Sequence, residues 1–103
     1  MKSDRRSTVP VPFKALLTAI ANPERWRILN ELMNEALPSG ILSRRVGLPQ
    51  TNVTKHLRQL CRGGVVIRGY GNVYRIPAEF MVSGQRTVDV GPVVLRLDRQ
   101  PEK

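Results

Sequence analysis

The chain has 103 residues, with 17 Lys and Arg against 8 Asp and Glu, and a formal net charge of +9. This length fits one domain, and a hydrophobic fraction of 41% excludes a wholly disordered chain. So large a basic excess predicts a polyanionic partner, either nucleic acid or an anionic membrane surface.

A single cysteine, Cys61, excludes an internal disulfide framework and a zinc site built on several thiolates. No apolar stretch approaches the roughly 20 residues that span a bilayer. The N-terminal MKSDRRSTVP has no apolar segment of the kind that secretory signals carry. We therefore expect a cytoplasmic protein, since a reducing compartment suits a lone thiol.

The N-terminal third predicts an arm and two helices. Residues 1–10 are polar and basic and predict a flexible arm, in which Arg5 and Arg6 either reach a minor groove or merely aid solubility. A first helix is predicted from Pro12 to about Ala21. Its apolar stripe consists of Phe13, Leu16, Leu17 and Ile20.

Asn22-Pro23-Glu24 is a helix-start signal, with Asn22 as N-cap and Pro23 in the first turn, for a helix that runs to about Asn34. Trp26 falls on its apolar stripe, which favours a core position over stacking on a base. After a break at 37–40, Ser39 can cap a short third helix. Gly47-Leu48-Pro49 ends that helix, and a fourth follows from about Gln50 to Gly63-Gly64.

The periodicity changes to two after Gly64. Residues 65–68 and 73–76 predict a β-hairpin with its turn at 69–72. Residues 86–97 alternate well enough to predict two strand pieces bent at Gly91-Pro92. We therefore divide the chain into an arm (1–10), a main domain (11–77), a strand-like extension (78–98) and a tail (99–103).

A short helix, a glycine turn, a longer helix and a hairpin together follow the winged helix-turn-helix plan, an α+β fold that is mostly α. Gly47 allows the sharp turn, and apolar contacts fix the angle between the two helices. The second helix of this motif can then enter a major groove. Its exposed polar residues are of the types that contact base edges and phosphates: Gln50, Thr51, Asn52, Thr54, Lys55 and Arg58.

The distribution of charge supports this interpretation over that of an ordinary solvated helix. No Asp or Glu occurs from Ala36 to Ala78, whereas that stretch holds seven Lys and Arg: Arg44, Arg45, Lys55, Arg58, Arg62, Arg68 and Arg75. An ordinary surface mixes both signs, and a stretch without acids suits an approach to phosphates. In the hairpin, Arg68, Tyr70 and Arg75 flank a slim glycine-rich tip.

These residues also resemble a known family. NPERWRIL, LSRRVGLPQTNVTKHLRQL and GVVIRGYGNVYRI are similar to the second helix, the helix-turn-helix and the wing of the ArsR/SmtB (arsenic-repressor-like) bacterial regulators. The resemblance implies a dimeric transcriptional regulator, usually a repressor, on a pseudo-palindromic operator. It also implies DNA contacts by Gln50, Thr51, Thr54, Lys55, His56, Arg68, Tyr70 and Arg75.

Two departures from that family matter. The third helix, ILSRRV, has no Cys or His, so the metal-sensing routes of the family are not expected. The usual C-terminal dimerisation helix is replaced by a strand-like pattern. The predicted homodimer therefore uses the first helix and strand pairing across the two-fold axis, with Phe13, Leu17, Val88, Val90, Val93, Leu95 and Leu97 as candidates.

Other interpretations stay open for single residues and for the whole chain. His56 is either a switch or metal ligand, or a phosphate or helix contact, and Cys61 is either a redox sensor or a small apolar filler. Scattered acids and the lack of a nucleophile set argue against an enzyme, and no cofactor or small-molecule effector is evident. A winged-helix protein-interaction module or a non-specific nucleic-acid-binding protein are the alternatives to a regulator.

Overall fold

A computed structural model describes residues 13–98 of the chain. The elements in chain order are α1 (Phe13–Ile20), α2 (Pro23–Asn34), β1 (Leu37–Pro38), α3 (Ser39–Val46), α4 (Gln50–Arg62), β2 (Ile67–Arg68), β3 (Val73–Arg75), β4 (Thr87–Asp89) and β5 (Val94–Arg96). Short 3-10 turns occupy Tyr70–Asn72 and Ala78–Phe80. The predicted arm, with Arg5 and Arg6, and the predicted tail lie outside the described residues, as does Pro12.

The start of α2 follows the predicted cap. Asn22 is extended, and its Oδ1 accepts hydrogen bonds from the backbone N–H groups of Glu24 at 2.8 Å and Arg25 at 3.3 Å. Pro23 occupies the first helical position, where the N–H that proline lacks would have no partner within the helix. Trp26 is half-buried against the core, as predicted, and its indole Nε1 donates to the Ile20 carbonyl at 2.6 Å.

The start of α3 differs from the prediction. Pro38, not Ser39, is the N-cap residue, and no side chain caps the helix. The Ser39 hydroxyl instead accepts from Gln50 Nε2 at 3.0 Å. Leu37 and Pro38 also form an unpredicted edge strand that pairs with β3, which gives a three-stranded antiparallel sheet in the order β1-β3-β2. Proline is tolerated there because an edge strand leaves N–H positions unpaired.

The turn between α3 and α4 is the predicted one. Gly47 has φ 73°, a left-handed conformation, and its N–H donates to the Ser43 carbonyl at 2.9 Å. Leu42 and Val46 of α3 and Val53 and Leu57 of α4 are all buried. These contacts hold the two helices at one angle, so the position of the outer face of α4 is fixed by the core.

The C-terminal extension forms two strands, as predicted, and they pair with each other. Val88 lies opposite Leu95 in the antiparallel β4–β5 hairpin. Val88, Leu95 and Leu97 are nevertheless buried at 0%, 2% and 2% exposure. They belong to the core of the chain, so the prediction that these three contact a partner is wrong.

Arg86 connects this hairpin to α2 through hydrogen bonds. Its guanidinium donates to the backbone carbonyl of Asn30 at 2.7 Å, to Asn30 Oδ1 at 3.1 Å and to Asn34 Oδ1 at 3.0 Å. Hydrogen bonds to a charged donor are stronger than neutral ones. The extension is therefore an integral part of the fold.

Gly63 has a second role beyond ending α4. A Cβ at this position would lie 2.6 Å from Ala19 Cβ and 3.1 Å from the Ala15 carbonyl oxygen, both in α1. The backbone at Gly63 has an ordinary φ of −76°, whereas Gly64 takes the left-handed conformation with φ 80°. Gly63 is thus needed for the close approach of α1 to the end of α4.

We expect Gly63→Ala to lower the free energy of unfolding by about 1–3 kcal/mol, because α1 must move to admit the methyl group. Urea unfolding followed by circular dichroism measures this change. Gly40→Ala is the matched control, since its Cβ would meet nothing closer than 3.8 Å. That control should gain up to about 1 kcal/mol from helix propensity. A Gly63→Ala variant as stable as the wild type would contradict the packing described for α1.

Candidate nucleic-acid interface

Helix α4 separates its apolar and polar residues by face. Val53, Leu57 and Leu60 are buried at 0% exposure, and they recur at the i, i+4, i+7 spacing of one helix face. The polar residues predicted to contact DNA lie on the other faces, where Thr54 is half-buried and five are exposed: Gln50, Thr51, Asn52, Lys55 and Arg58. The core therefore presents a polar helix surface to the outside.

A shallow depression of about 440 Å³ runs along the centre of that surface. It is lined by five of the predicted residues: Gln50, Thr51, Thr54, Lys55 and Arg58. Asn52 is exposed but does not line it, because it lies further around the helix. The structure thus brings together hydroxyl, amide and cationic groups in one concave strip.

Gln50 is held at the start of the strip. Its Nε2 donates to Ser39 Oγ at 3.0 Å, and its amide lies above Gly40, where an added Cβ would come within 3.8 Å of Oε1. Pairing with an adenine through two hydrogen bonds uses both ends of the amide. The amide nitrogen carries two N–H groups, so one can stay on Ser39 while the other and Oε1 pair with the base.

His56 occupies a different place from the one that the family resemblance implied. Its Nδ1 accepts from Arg25 Nε at 3.2 Å and its Nε2 lies 3.0 Å from Glu24 Oε1. Because the arginine Nε–H can only donate, the ring proton belongs on Nε2, which donates to Glu24. Both ring nitrogens are engaged between α2 and α4, so His56 makes the predicted helix contact and offers neither nitrogen to the phosphate that the resemblance implied.

The hairpin contributes one face to the interface. Arg68 lies opposite Tyr74, and Ile67 lies opposite Arg75. Since successive side chains of a strand point to opposite faces, Arg68 and Arg75 lie on different faces of the wing. Arg68 and Tyr74 join α4 in lining a pocket of about 250 Å³ together with Thr54, Arg58 and Cys61.

The wing tip projects away from the core. Tyr70 is fully exposed, and the turn beside it uses left-handed residues at Gly71 (φ 77°) and Asn72 (φ 60°). Asparagine is one of the few side chains that tolerate this conformation. The tip is therefore slim and polar, as the glycine-rich turn predicted.

The cations of this surface have few acidic partners. Of the seven Lys and Arg in the acid-free stretch, Arg45 pairs with Glu31 at 3.5 Å and Glu35 at 3.2 Å. The other six form no ion pair with an acidic side chain of residues 13–98. Their charge is consequently available to an outside anion.

Cys61 lies on the wing side of α4, half-buried against the core. Burial raises the pKa of its thiol, and the nearby positive charge of Arg68 offsets only part of this effect. A raised pKa leaves less thiolate at neutral pH, and thiolate is the reactive form. The environment therefore favours the apolar filler over the redox sensor.

A third depression, also about 440 Å³, was not predicted. It lies on the other flank of α4 and is lined by Arg25, Lys55, His56, Arg58, Gln59 and Arg62. The recurrence of Lys55, Gln59 and Arg62 at i, i+4, i+7 was visible in the sequence. The contribution of Arg25 was not, because it depends on the packing of α2 against α4.

Neither a metal site nor a membrane span occurs in the described part of the chain. Residues 13–98 hold no group of His, Cys, Asp and Glu side chains that could bind a metal ion. Within the same residues, no helix is long and apolar enough to cross a membrane.

The chain is similar to known DNA-binding proteins over the segment that contains α4. A family described as "Winged helix-turn-helix DNA-binding" matches residues 25–67, which run from α2 to the start of the wing. The nodulation protein NolR of Rhizobium meliloti is 43% identical over 44 residues, which are 43% of this chain and 36% of NolR. The match thus spans about a third of that relative.

Two solved structures are similar over most of the chain. HlyU from Vibrio cholerae is 33% identical, with a TM-score of 0.53, over 74% of this chain and 80% of HlyU. Mb0332 from Mycobacterium bovis is 28% identical, with a TM-score of 0.62, over 76% of this chain and 75% of the Mb0332 fragment. Mb0332 is described as a homodimeric winged helix-turn-helix DNA-binding domain of a possible ArsR-family transcriptional regulator.

The family match, the identity to HlyU and the shared fold lead to one conclusion. The helix-turn-helix, the exposed basic face of α4 and the wing are the parts that the family name describes. This chain belongs to the winged helix-turn-helix family of DNA-binding proteins.

Proposed function

We propose that the protein is a sequence-specific transcriptional regulator, a repressor of the ArsR-like type, that binds duplex DNA as a homodimer. The observation that carries this proposal is the strip along α4, where Thr51, Thr54, Lys55 and Arg58 line one concave surface. Its side chains combine groups that read base edges with groups that hold phosphates. A helix that only bound phosphates would need the cations alone.

In the proposed complex, α4 lies in the major groove. Thr51 and Thr54 face base edges or thymine methyl groups, and Lys55 and Arg58 contact guanine or phosphate. On the wing side, Arg68 joins Arg58 against the backbone, and Tyr70 at the tip reaches the adjacent backbone or minor groove. Arg75, on the other wing face, contributes only long-range attraction.

The proposed dimer uses surfaces that the core leaves uncovered. Phe13 and Leu17, one turn apart on α1, are 48% and 43% exposed, and Val94 on β5 is 52% exposed. Val90 and Val93 are half-buried beside Val94. We propose that α1 packs on its two-fold copy and that the extension adds strand contacts. The homodimeric state described for Mb0332 supports a dimer.

The remaining parts of the proposal follow from the DNA-binding role. Residues 11–77 form the DNA-binding domain and 78–98 the dimerisation extension, and the protein acts in the cytoplasm. Two α4 helices related by a two-fold axis read a pseudo-palindromic operator with half-sites about 34–36 Å apart. Repression then results from occupying the operator, and the protein catalyses no reaction and needs no cofactor.

Selection from a random duplex pool with purified protein tests the function. An enriched inverted repeat supports a sequence-specific dimer, and an enriched single half-site would contradict the dimer. Binding without enrichment would indicate a general nucleic-acid-binding protein. Absence of duplex binding at low salt would instead favour a protein-interaction module.

We expect Lys55→Ala and Arg58→Ala each to weaken binding and to reduce the magnitude of the slope of log K against log salt by about one unit, because each removes a positive charge from the DNA surface. Fluorescence anisotropy across a range of salt concentrations measures the slope. Thr54→Ala is the control on the same strip, since it carries no charge: it should alter sequence preference and leave the slope unchanged. If both cationic variants bind like the wild type, α4 does not lie in the groove.

We expect Leu17→Arg to make the protein monomeric, because opposed arginines would replace the proposed apolar contact at the two-fold axis. Light scattering after size-exclusion chromatography measures the mass, and urea unfolding checks that the variant folds. Ile67→Arg, at an apolar wing residue that is 38% exposed, adds the same charge elsewhere and should remain dimeric. A folded, dimeric Leu17→Arg variant would exclude the α1 interface.

A further inference from the structure

Helix α4 carries two parallel rows of side chains along its two flanks, and Arg58 lines the depression on each flank. Thr54, Arg58 and Cys61 form one i, i+4, i+7 row and line the pocket beside the wing. Lys55, Gln59 and Arg62 form the neighbouring row and line the depression on the opposite flank. Residues at these spacings lie along one side of a helix, so each row runs along its own flank of α4.

The depression away from the wing is strongly cationic. Arg25, Lys55, Arg58 and Arg62 all line it, and no acidic residue does. The carboxylate of Glu24 lies nearby, but it is engaged by His56 Nε2 at 3.0 Å. Four positive charges without a carboxylate among the lining residues favour an anion from outside the chain.

Arg25 is held in place by three hydrogen bonds. Its Nε donates to His56, and its Nη1 donates to the Thr18 carbonyl at 2.7 Å and to the Ala19 carbonyl at 3.3 Å. Its Nη2 makes no hydrogen bond within residues 13–98. A guanidinium fixed in this way can offer its free N–H groups to a phosphate with little further loss of side-chain entropy.

The dimensions of duplex DNA suggest which anion fits. A major groove is about 12 Å wide, and an α-helix with its side chains is about 10–12 Å across. A helix seated in the groove therefore has one flank toward each phosphate backbone. If the wing meets one backbone, the row of Lys55, Gln59 and Arg62 meets the other.

We propose that Arg25, Lys55 and Arg62 bind phosphates of the DNA strand on the side of the major groove away from the wing. This proposal rests on the proposed function and adds a second set of phosphate contacts to it. A row that follows the helix axis suits a run of successive phosphates, and Gln59 supplies a neutral donor between the cations. An acidic protein segment would meet the same charges, and neutralising single DNA phosphates distinguishes it from DNA.

The test compares two variants that lose one positive charge each. Arg62→Gln removes an exposed cation from the depression. Arg96→Gln removes an exposed cation from β5, where it pairs with Asp98 at 3.6 Å and lines none of the three depressions. The measurement is the affinity for one duplex, from the selected pool, across a range of salt concentrations.

We expect Arg62→Gln to reduce the magnitude of the slope of log K against log salt by about one unit. It should weaken binding to selected and random duplexes by similar factors. Arg96→Gln should keep the wild-type slope. An unchanged slope for Arg62→Gln would overturn the proposal. An equal change of slope for both variants would also overturn it, because the loss of net charge alone would then explain the effect. In either case duplex binding by the wild type leaves the proposed function standing.

Methylphosphonate substitutions locate the contact. Neutralising phosphates one at a time on each strand should weaken wild-type binding at positions on both sides of the groove. Arg62→Gln should lose sensitivity at the phosphate that Arg62 contacts and keep it at the phosphates of Arg25 and Lys55 and on the wing side. If wild-type binding is sensitive only on the wing side, the proposed phosphate contacts away from the wing are wrong. The depression would then suit an acidic protein segment instead.

Discussion

The packing of α3 on α4 across the left-handed turn at Gly47 is the constraint on which the rest depends. The Ser43 carbonyl accepts from the N–H groups of both Gly47 and Leu48, at 2.9 and 3.2 Å. Arg27 of α2 donates to the carbonyl of Val46 at the end of α3, where a helix lacks its own donors. The hydrogen bonds at the turn and at the end of α3, together with the buried core, fix the orientation of α4. That orientation sets where its polar face, the pocket beside the wing and the depression on the other flank lie.

The C-terminal hairpin has one buried and one exposed face. A domain of this size buries a limited core, and Val88, Leu95 and Leu97 supply part of it. Their neighbours on the other face, such as Val94, remain exposed. Alternation thus gives the chain three core residues and leaves Val94 on the exposed face, where the proposed dimer contact lies. The sequence pattern showed the alternation but could not show which face was inward.

Local signals predicted most of the helices, and contacts between distant residues account for what was missed. Asn22-Pro23 and the glycines at 47 and 63–64 marked the helix ends because caps and left-handed turns depend on adjacent residues. β1 has two residues and no periodicity, so nothing in the sequence identified it. His56 bonds to residues 31 and 32 positions earlier in the chain, a distance that no pattern on α4 encodes. The DNA-contact residues on α4 stay a prediction, now with a common surface.

The same packing holds an acidic residue of α2 beside the cationic depression on α4. Glu24 suits the first turn of α2, where a carboxylate interacts favourably with the positive end of the helix dipole. That position also brings it against His56, which lines the cationic depression. His56 donates to Glu24 and accepts from Arg25, so the imidazole engages the acid while it orients a cation. A residue expected to touch DNA therefore links an acid of α2 to a cation that lines the depression.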